Sequence, residues 1–205
     1  MARVMEFSPD MLPSFNVSEA ARYAGVRGDG ESLEKLPRLK AQLDGVLTPR
    51  ACYDVYSVKV EGEAIDFGSF SVRSHSLARC LEKCRSAAVF AATAGHGVDR
   101  LIRARMLTLP SEGCLLGAIG SERVEALCDL VCSHLADTAE LKGKIMRPRF
   151  SPGYGDLSLE LQREIFSLLD CTRSIGISLG EGLLMTPEKS VTAIVGFEDA
   201  EYEEK

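Results

Sequence analysis

At 205 residues, 45% of them hydrophobic and 26% charged, the chain has the length and composition of a single globular domain with a sizeable core. A net charge of −6 leaves no electrostatic footprint for nucleic acid or an anionic membrane surface. No apolar run of about 18 residues exists to span a bilayer, and Met1 to Glu6 leads into Ser8-Pro9 without an apolar signal core, so a cytoplasmic protein is expected.

Residues 1–15, with Pro9 and Pro13, read as irregular. Asn16 or Ser18 caps a short helix through Tyr23 that stops at Gly25, and Arg27-Gly28-Asp29-Gly30 reads as a turn. From Ser32 to Leu47, Leu36, Leu39, Leu43 and Leu47 fall at helical spacing; Pro37 is tolerated in the first turn or moves the start later. Ala51 to Val60 predicts a strand, Glu61-Gly62 a turn, and Ala64 to Val72 a partner strand bulged at Gly68. Ser74 or Ser76 caps a short helix to Cys84. The apolar run from Ser86 to Thr93 suits a buried central strand. Val98 to Leu107 is amphipathic, Cys114 to Ile119 is a short apolar segment, and Ser121 opens a long helix with Val124, Leu127, Val131 and Leu135 on one face. Asp156 or Ser158 caps a further helix with Leu161, Ile165 and Leu168 inward. Ile175 to Leu179 and Val191 to Phe197 read as strands, Thr186 to Lys189 as a turn, and Ala200 to Lys205 as a charged tail. This order predicts an α+β fold, with a mixed, mainly antiparallel curved sheet and helices packed on it.

Arg149-Phe150-Ser151-Pro152-Gly153-Tyr154-Gly155-Asp156 is the most informative stretch. Gly153 and Gly155 allow positive φ and close approach of backbone to a ligand, while Pro152 stiffens the loop. Arg149 offers a planar fork of donors suited to a carboxylate, and Tyr154 a flat face with a hydroxyl. The run reads either as a loop holding a small polar ligand beside an apolar one or as a tight turn before the next helix.

The other candidates have ordinary readings beside them. Thr93-Ala94-Gly95-His96-Gly97-Val98-Asp99 is an anion-accepting strand-to-helix junction or simply a tight turn, and it is not a full dinucleotide fingerprint. His96 is an acid–base or cleft-lining group, or a surface residue; His75 and His134 have weaker claims. Cys80/Cys84 and Cys128/Cys132 are i,i+4 pairs, but no third and fourth ligand follows at recognisable spacing, so the seven cysteines read as reduced, metal-free core residues. Asp54, Glu63 and Asp66 make no convincing carboxylate pair. Glu181, just after a strand, pairs with Arg149 or meets a ligand ammonium.

Arg149-x-Ser151-Pro152-Gly153-Tyr154 resembles the Arg-x-Ala-Pro-Gly-Tyr signature of the activation domain of cobalamin-dependent methionine synthase. The similarity continues through Ile175-Gly176-Ile177-x-Leu179-x-Glu181, Met185-x-Pro187 and Ser190-Val191, covering about Arg147 to Phe197. The form with Ser at 151, followed by Gly155-Asp156 and Leu159-Glu160-Leu161-Gln162, is similar to small stand-alone relatives of that domain. The family's Thr-Glu-Ser is Gly180-Glu181-Gly182 here, and its later ligand-contacting Tyr is missing or reduced to Tyr202.

The resemblance implies one domain over 1–205, with an N-terminal helical segment at about 1–48 and the ligand loop and C-terminal sheet at about 142–197. It implies S-adenosylmethionine as ligand, held by Arg149, Ser151, Gly153, Tyr154 and Glu181. Arg149 would take the methionine carboxylate, Ser151 would act through its backbone, and Tyr154 would lie near the sulfonium or the corrin face. The implied role is accessory rather than independently enzymatic: reductive reactivation of cob(II)alamin. No Asp-x-His-x-x-Gly corrin-binding signature occurs, so cobalamin would sit on a separate methionine synthase or other corrinoid protein. The alternatives are a binding or structural protein that kept the fold, or a reactivation factor for another corrinoid methyltransferase.

Overall fold

The computed structural model describes residues 2–26, 30–138 and 141–200. The turn expected at Arg27 to Asp29, Tyr202 and most of the charged tail lie outside the described residues. The chain runs β1 (Arg3–Glu6), a 3-10 turn at Pro9–Met11, α1 (Val17–Tyr23), α2 (Gly30–Asp44), β2 (Arg50–Ser57), β3 (Lys59–Glu61), β4 (Ala64–Asp66) and β5 (Ser71–Arg73). It continues through α3 (His75–Leu81), β6 (Cys84–Thr93), α4 (His96–Thr108), α5 (Pro110–Ala136), β7 (Ile145–Met146), α6 (Leu161–Leu169), α7 (Cys171–Ile175), β8 (Ser178–Leu179), β9 (Met185–Thr186) and β10 (Ser190–Glu198).

The main sheet has the order β1-β2-β6-β10-β7, and every pairing in it is antiparallel. The fold is α+β, as expected. β6 lies at its centre, and its sequence is almost continuously apolar because helices cover both faces. Ala88, Phe90 and Ala92 pack with Leu36, Leu39 and Leu43 of α2 and Leu116, Ile119 and Leu127 of α5. Ala87, Val89 and Ala91 face the opposite way, toward Leu77 and Leu81 of α3 and Ile165 and Leu169 of α6. Burial of a side chain the size of Val89 or Phe90 stabilises by about 1.5–3 kcal/mol, so this strand anchors both layers. No described helix is long and apolar enough to cross a membrane.

Tertiary packing changes several local expectations. Residues 3–6 form an edge strand, Arg3 to Glu6 pairing with Tyr53 to Arg50, although Arg-Val-Met-Glu is short and carries no polar-apolar alternation to announce it. α2 runs Gly30–Asp44, so Pro37 lies inside it rather than in its first turn. The strand expected over Ala51 to Val60 splits: β2 stays in the main sheet, and β3 turns off into a small sheet of order β3-β4-β5. Gly68, at φ +80°, makes a turn after β4 in place of a bulge, closed by Phe67 N donating to Phe70 O at 2.9 Å. Cys114 to Ile119 is not a separate segment; α5 is one helix of 27 residues. Two of its three glycines, Gly113 and Gly120, serve packing rather than termination. A Cβ at Gly113 would press on Met106, and one at Gly120 would lie 3.2 Å from Lys189 Cγ and 3.3 Å from Val98 Cγ1. Ser121 is accordingly no cap: its hydroxyl donates to Gly117 O at 3.1 Å and accepts from Lys189 Nζ at 2.9 Å. Ile175 closes α7, and only Ser178–Leu179 of the strand expected there is extended.

Candidate functional site

Residues 147–150 run along β10: Arg147 N donates to Gly196 O at 2.8 Å, and Phe150 and Ile194 exchange bonds of 2.9 and 2.8 Å. The chain then folds back on itself. Tyr154 N donates to Ser151 O at 3.1 Å, Leu157 N to Tyr154 O at 3.0 Å, and Gly153 N to Leu157 O at 2.9 Å. This compact turn needs left-handed backbone at Gly153 (φ +90°) and Gly155 (φ +55°). Pro152 is buried, whereas Tyr154 is 71% exposed, so a stiff loop displays an aromatic face to solvent.

Asp156 fixes the loop to its neighbour. It does not cap the following helix; its carboxylate crosses to α3. Ser74 Oγ donates to Oδ1 at 2.7 Å, Ser76 N to Oδ1 at 3.0 Å and His75 N to Oδ2 at 2.6 Å. The Ser74 hydroxyl first, then the Ser76 and His75 amides, hold the carboxyl well below the usual carboxylate range. Gly155 belongs to the same junction, since a Cβ there would sit 2.9 Å from Ser76 Oγ. Ser158 Oγ accepts from Glu160 N at 3.2 Å and so supports the start of α6.

Arg149 is gripped from α5. Nη2 donates to Glu125 Oε2 at 2.9 Å and Nη1 to Asp129 Oδ1. Both ends of the fork expected to receive a ligand carboxylate are therefore engaged, and such a carboxylate either uses the remaining N–H groups or displaces one of these oxygens. Burial works against the Arg149 charge, but the Asp129 hydrogen bond and the neighbouring groups raise its pKa further. Glu125, Arg149, Phe150, Ser151, Tyr154 and Val191 enclose a cleft of about 300 Å³. Within it the Glu125 carboxylate and the Arg149 guanidinium lie beside Tyr154, while Asp129 holds Arg149 from outside the cleft. Glu125 and Asp129 escaped the reading of the sequence; their i,i+4 spacing on the long amphipathic helix was the available signal.

The structure brings Arg149, Ser151 and Tyr154 together around this cleft; Gly153 shapes the turn but does not line it. Glu181 is elsewhere. It is exposed on the β8–β9 turn, where its carbonyl accepts from Arg163 Nη2 at 3.5 Å, and it does not pair with Arg149. His96 lies within 3.2 Å of Gly176 O through Nε2, a link between α4 and the end of α7. A Cβ at Gly95 would collide with Thr48, and one at Gly97 with the Val46 carbonyl, so these glycines admit the preceding loop against α4. His75 meets the site through its backbone, and His134 is exposed.

All seven cysteines are free thiols. Burial pushes Cys84 up to about 11 and raises Cys80, Cys128 and Cys132, which leaves these thiols protonated and inert at neutral pH. Among the described residues no group of three or more His, Cys, Asp or Glu could hold a metal ion. The hairpin carboxylates are occupied locally: Asp54 Oδ1 accepts from Val55 N, Asp66 Oδ1 from Gly68 N, and Glu63 lies 3.5 Å from Arg73.

No protein-family model matches the chain, and no curated protein matches it in sequence. The fold is that of a known domain. The chain is similar to a MetH reactivation domain whose crystal structure was determined bound to AdoHcy, with a TM-score of 0.72 over 98% of this chain and 79% of that one. Sequence identity across that match is 14%.

Proposed function

We propose that this chain binds S-adenosylmethionine in the cleft between Arg149 and Tyr154, and that it supports reductive methylation of cob(II)alamin carried by another protein. The observation that carries the reading is the convergence of Arg149, Ser151 and Tyr154 with Glu125 at one cleft, in a fold like that of a reactivation domain solved with AdoHcy. The donor set fits the ligand. An exposed aromatic face attracts a sulfonium. Glu125 offers an acceptor to its cationic groups, and Arg149 offers a donor to its carboxylate. Phe150 and Val191 supply apolar wall. When bound, S-adenosylmethionine supplies an electrophilic methyl group; the residues here position it and leave Tyr154 open to an approaching partner. The partner of this reading is a cobalamin-dependent methionine synthase or another corrinoid methyltransferase, because these 205 residues hold no corrin-binding signature.

The test mixes a cob(II)alamin-form corrinoid methyltransferase, a one-electron reductant and S-adenosylmethionine, with and without this protein. Faster recovery of methylcobalamin in its presence is expected; equal recovery in both mixtures removes the reactivation role. The engagement of both terminal nitrogens of Arg149 favours one second reading, a binding protein that kept the fold without this ligand. Calorimetric titration with S-adenosylmethionine separates the two.

A further inference from the structure

A different cleft, of about 600 Å³, opens between the start of α6 and the β8–β9 hairpin. Leu159, Leu183, Leu184 and Met185 form its apolar walls, with the polar Gln162, Thr186, Glu188 and Lys189 completing the lining. Its volume falls in the range of small-molecule sites. Leu184, at the hairpin tip and 76% exposed, offers apolar surface at the mouth of the cleft. Leu183 has φ +60°, a left-handed conformation that a branched side chain rarely adopts.

Gln162 points to what the cleft takes. The residue is 5% exposed, yet its Oε1 is buried without any hydrogen-bond partner. Buried side-chain oxygens are nearly always satisfied, and leaving one unmade costs free energy that folding alone gives no reason to spend. The last torsion of a glutamine is broad, so a small rotation presents the amide to the cleft. An amide offers one acceptor and two donors, a pattern met reciprocally by another carboxamide. Two charges of opposite sign line the cleft, the Lys189 ammonium, which donates to Ser121 Oγ at 2.9 Å, and the Glu188 carboxylate, 3.7 Å from Arg103, and this balance favours a ligand without net charge.

We propose that this cleft is a second binding site, which takes a small, flat, neutral apolar molecule bearing an N–H donor, with a primary carboxamide as its best form. The inference is independent of S-adenosylmethionine binding at Arg149. The probes are benzamide and its near-isostere acetophenone, which lacks the N–H group, titrated into the isotopically labelled protein and followed by amide NMR shifts. Benzamide is expected to shift the signals of Leu159, Gln162, Leu184 and Met185 saturably, with a Kd on the order of a millimolar for so small a molecule. Acetophenone should bind at least tenfold more weakly. Gln162→Met should weaken benzamide about tenfold while its Tm stays unchanged or rises, because the orphan oxygen is gone. Leu184→Asp, at an exposed tip that cannot disturb the core, should weaken both probes. Equal affinity for the two probes, shifts centred on Arg149 and Tyr154, or no saturable shift overturns the assignment. Should Gln162→Met fail to fold, the comparison of probes and Leu184→Asp decide it alone.

Discussion

Replacing Arg149 with Met separates its binding role from its structural one. The side chain is 25% exposed and holds Glu125 (40% exposed) and Asp129 (65% exposed). Ion pairs this open to solvent contribute about 0.2–1 kcal/mol each, so the variant should lose roughly 1 kcal/mol of stability or little more. For a chain of this size that is a fall of about 2–4 °C in Tm per kcal/mol. Its effect on ligand affinity should be far larger. A charge-assisted hydrogen bond to a ligand carboxylate is worth about 1.5–3 kcal/mol, or roughly ten- to a hundredfold in Kd for S-adenosylmethionine. The freed Glu125 and Asp129 attract the ligand's cationic groups and partly offset that loss, so adding Glu125→Gln to the variant should deepen it. Calorimetric titration of wild type, single and double variants, beside thermal melts, measures both quantities. Affinity unchanged in Arg149→Met, with the expected small fall in Tm, would refute the placement of the ligand carboxylate on this residue.

Arg123→Met should destabilise by about 3–5 kcal/mol in urea unfolding, because the buried Glu122 would lose its counter-charge and keep only the Asn16 amide as donor; Arg123 is 2% exposed, binds Glu122 and donates to Pro13 O at 2.9 Å. Gly97→Ala, whose Cβ would strike the Val46 carbonyl, should cost about 1–3 kcal/mol as an overpacked site without changing ligand affinity; loss of affinity without loss of stability would instead mark this turn as a ligand site. The depressed pKa of Asp156 contributes stability that is fully present above its ordinary value of 3.8 and is lost as pH falls toward its folded value. Acid-induced loosening of the loop on α3, followed by Tyr154 fluorescence, should therefore begin below about pH 4 and be absent in Asp156→Asn, which has no such titration. Glu181→Ala should leave the S-adenosylmethionine Kd within about twofold, since a surface residue outside the cleft makes no contact to lose; a tenfold change would place the hairpin over the ligand.

Local chemistry carried much of this protein into view. The spacing of Leu36, Leu39 and Leu43 marks α2, Asn16 caps α1 as its side chain dictates, and the run Ala87 to Ala92 is apolar on both faces because it lies between two layers. The turn at 151–156 was legible from Pro152, Gly153 and Gly155, whose backbone limits act within a few residues. Partners far apart in sequence were not. β1 is a strand only because β2 pairs with it, and the glycines of α5 look like breaks until Met106 and Lys189 are seen against them. Asp156 reads as a cap for the helix that follows, yet it caps α3, 80 residues earlier. Arg149 reads as a free donor, and whether it is free depends on Glu125 and Asp129, which sequence separates from it by 24 and 20 positions. The residue types fix which contacts are chemically available; only the packing of α5 against the sheet decides which of them are made, because charge pairing and steric fit are set by distances that the chain order does not contain.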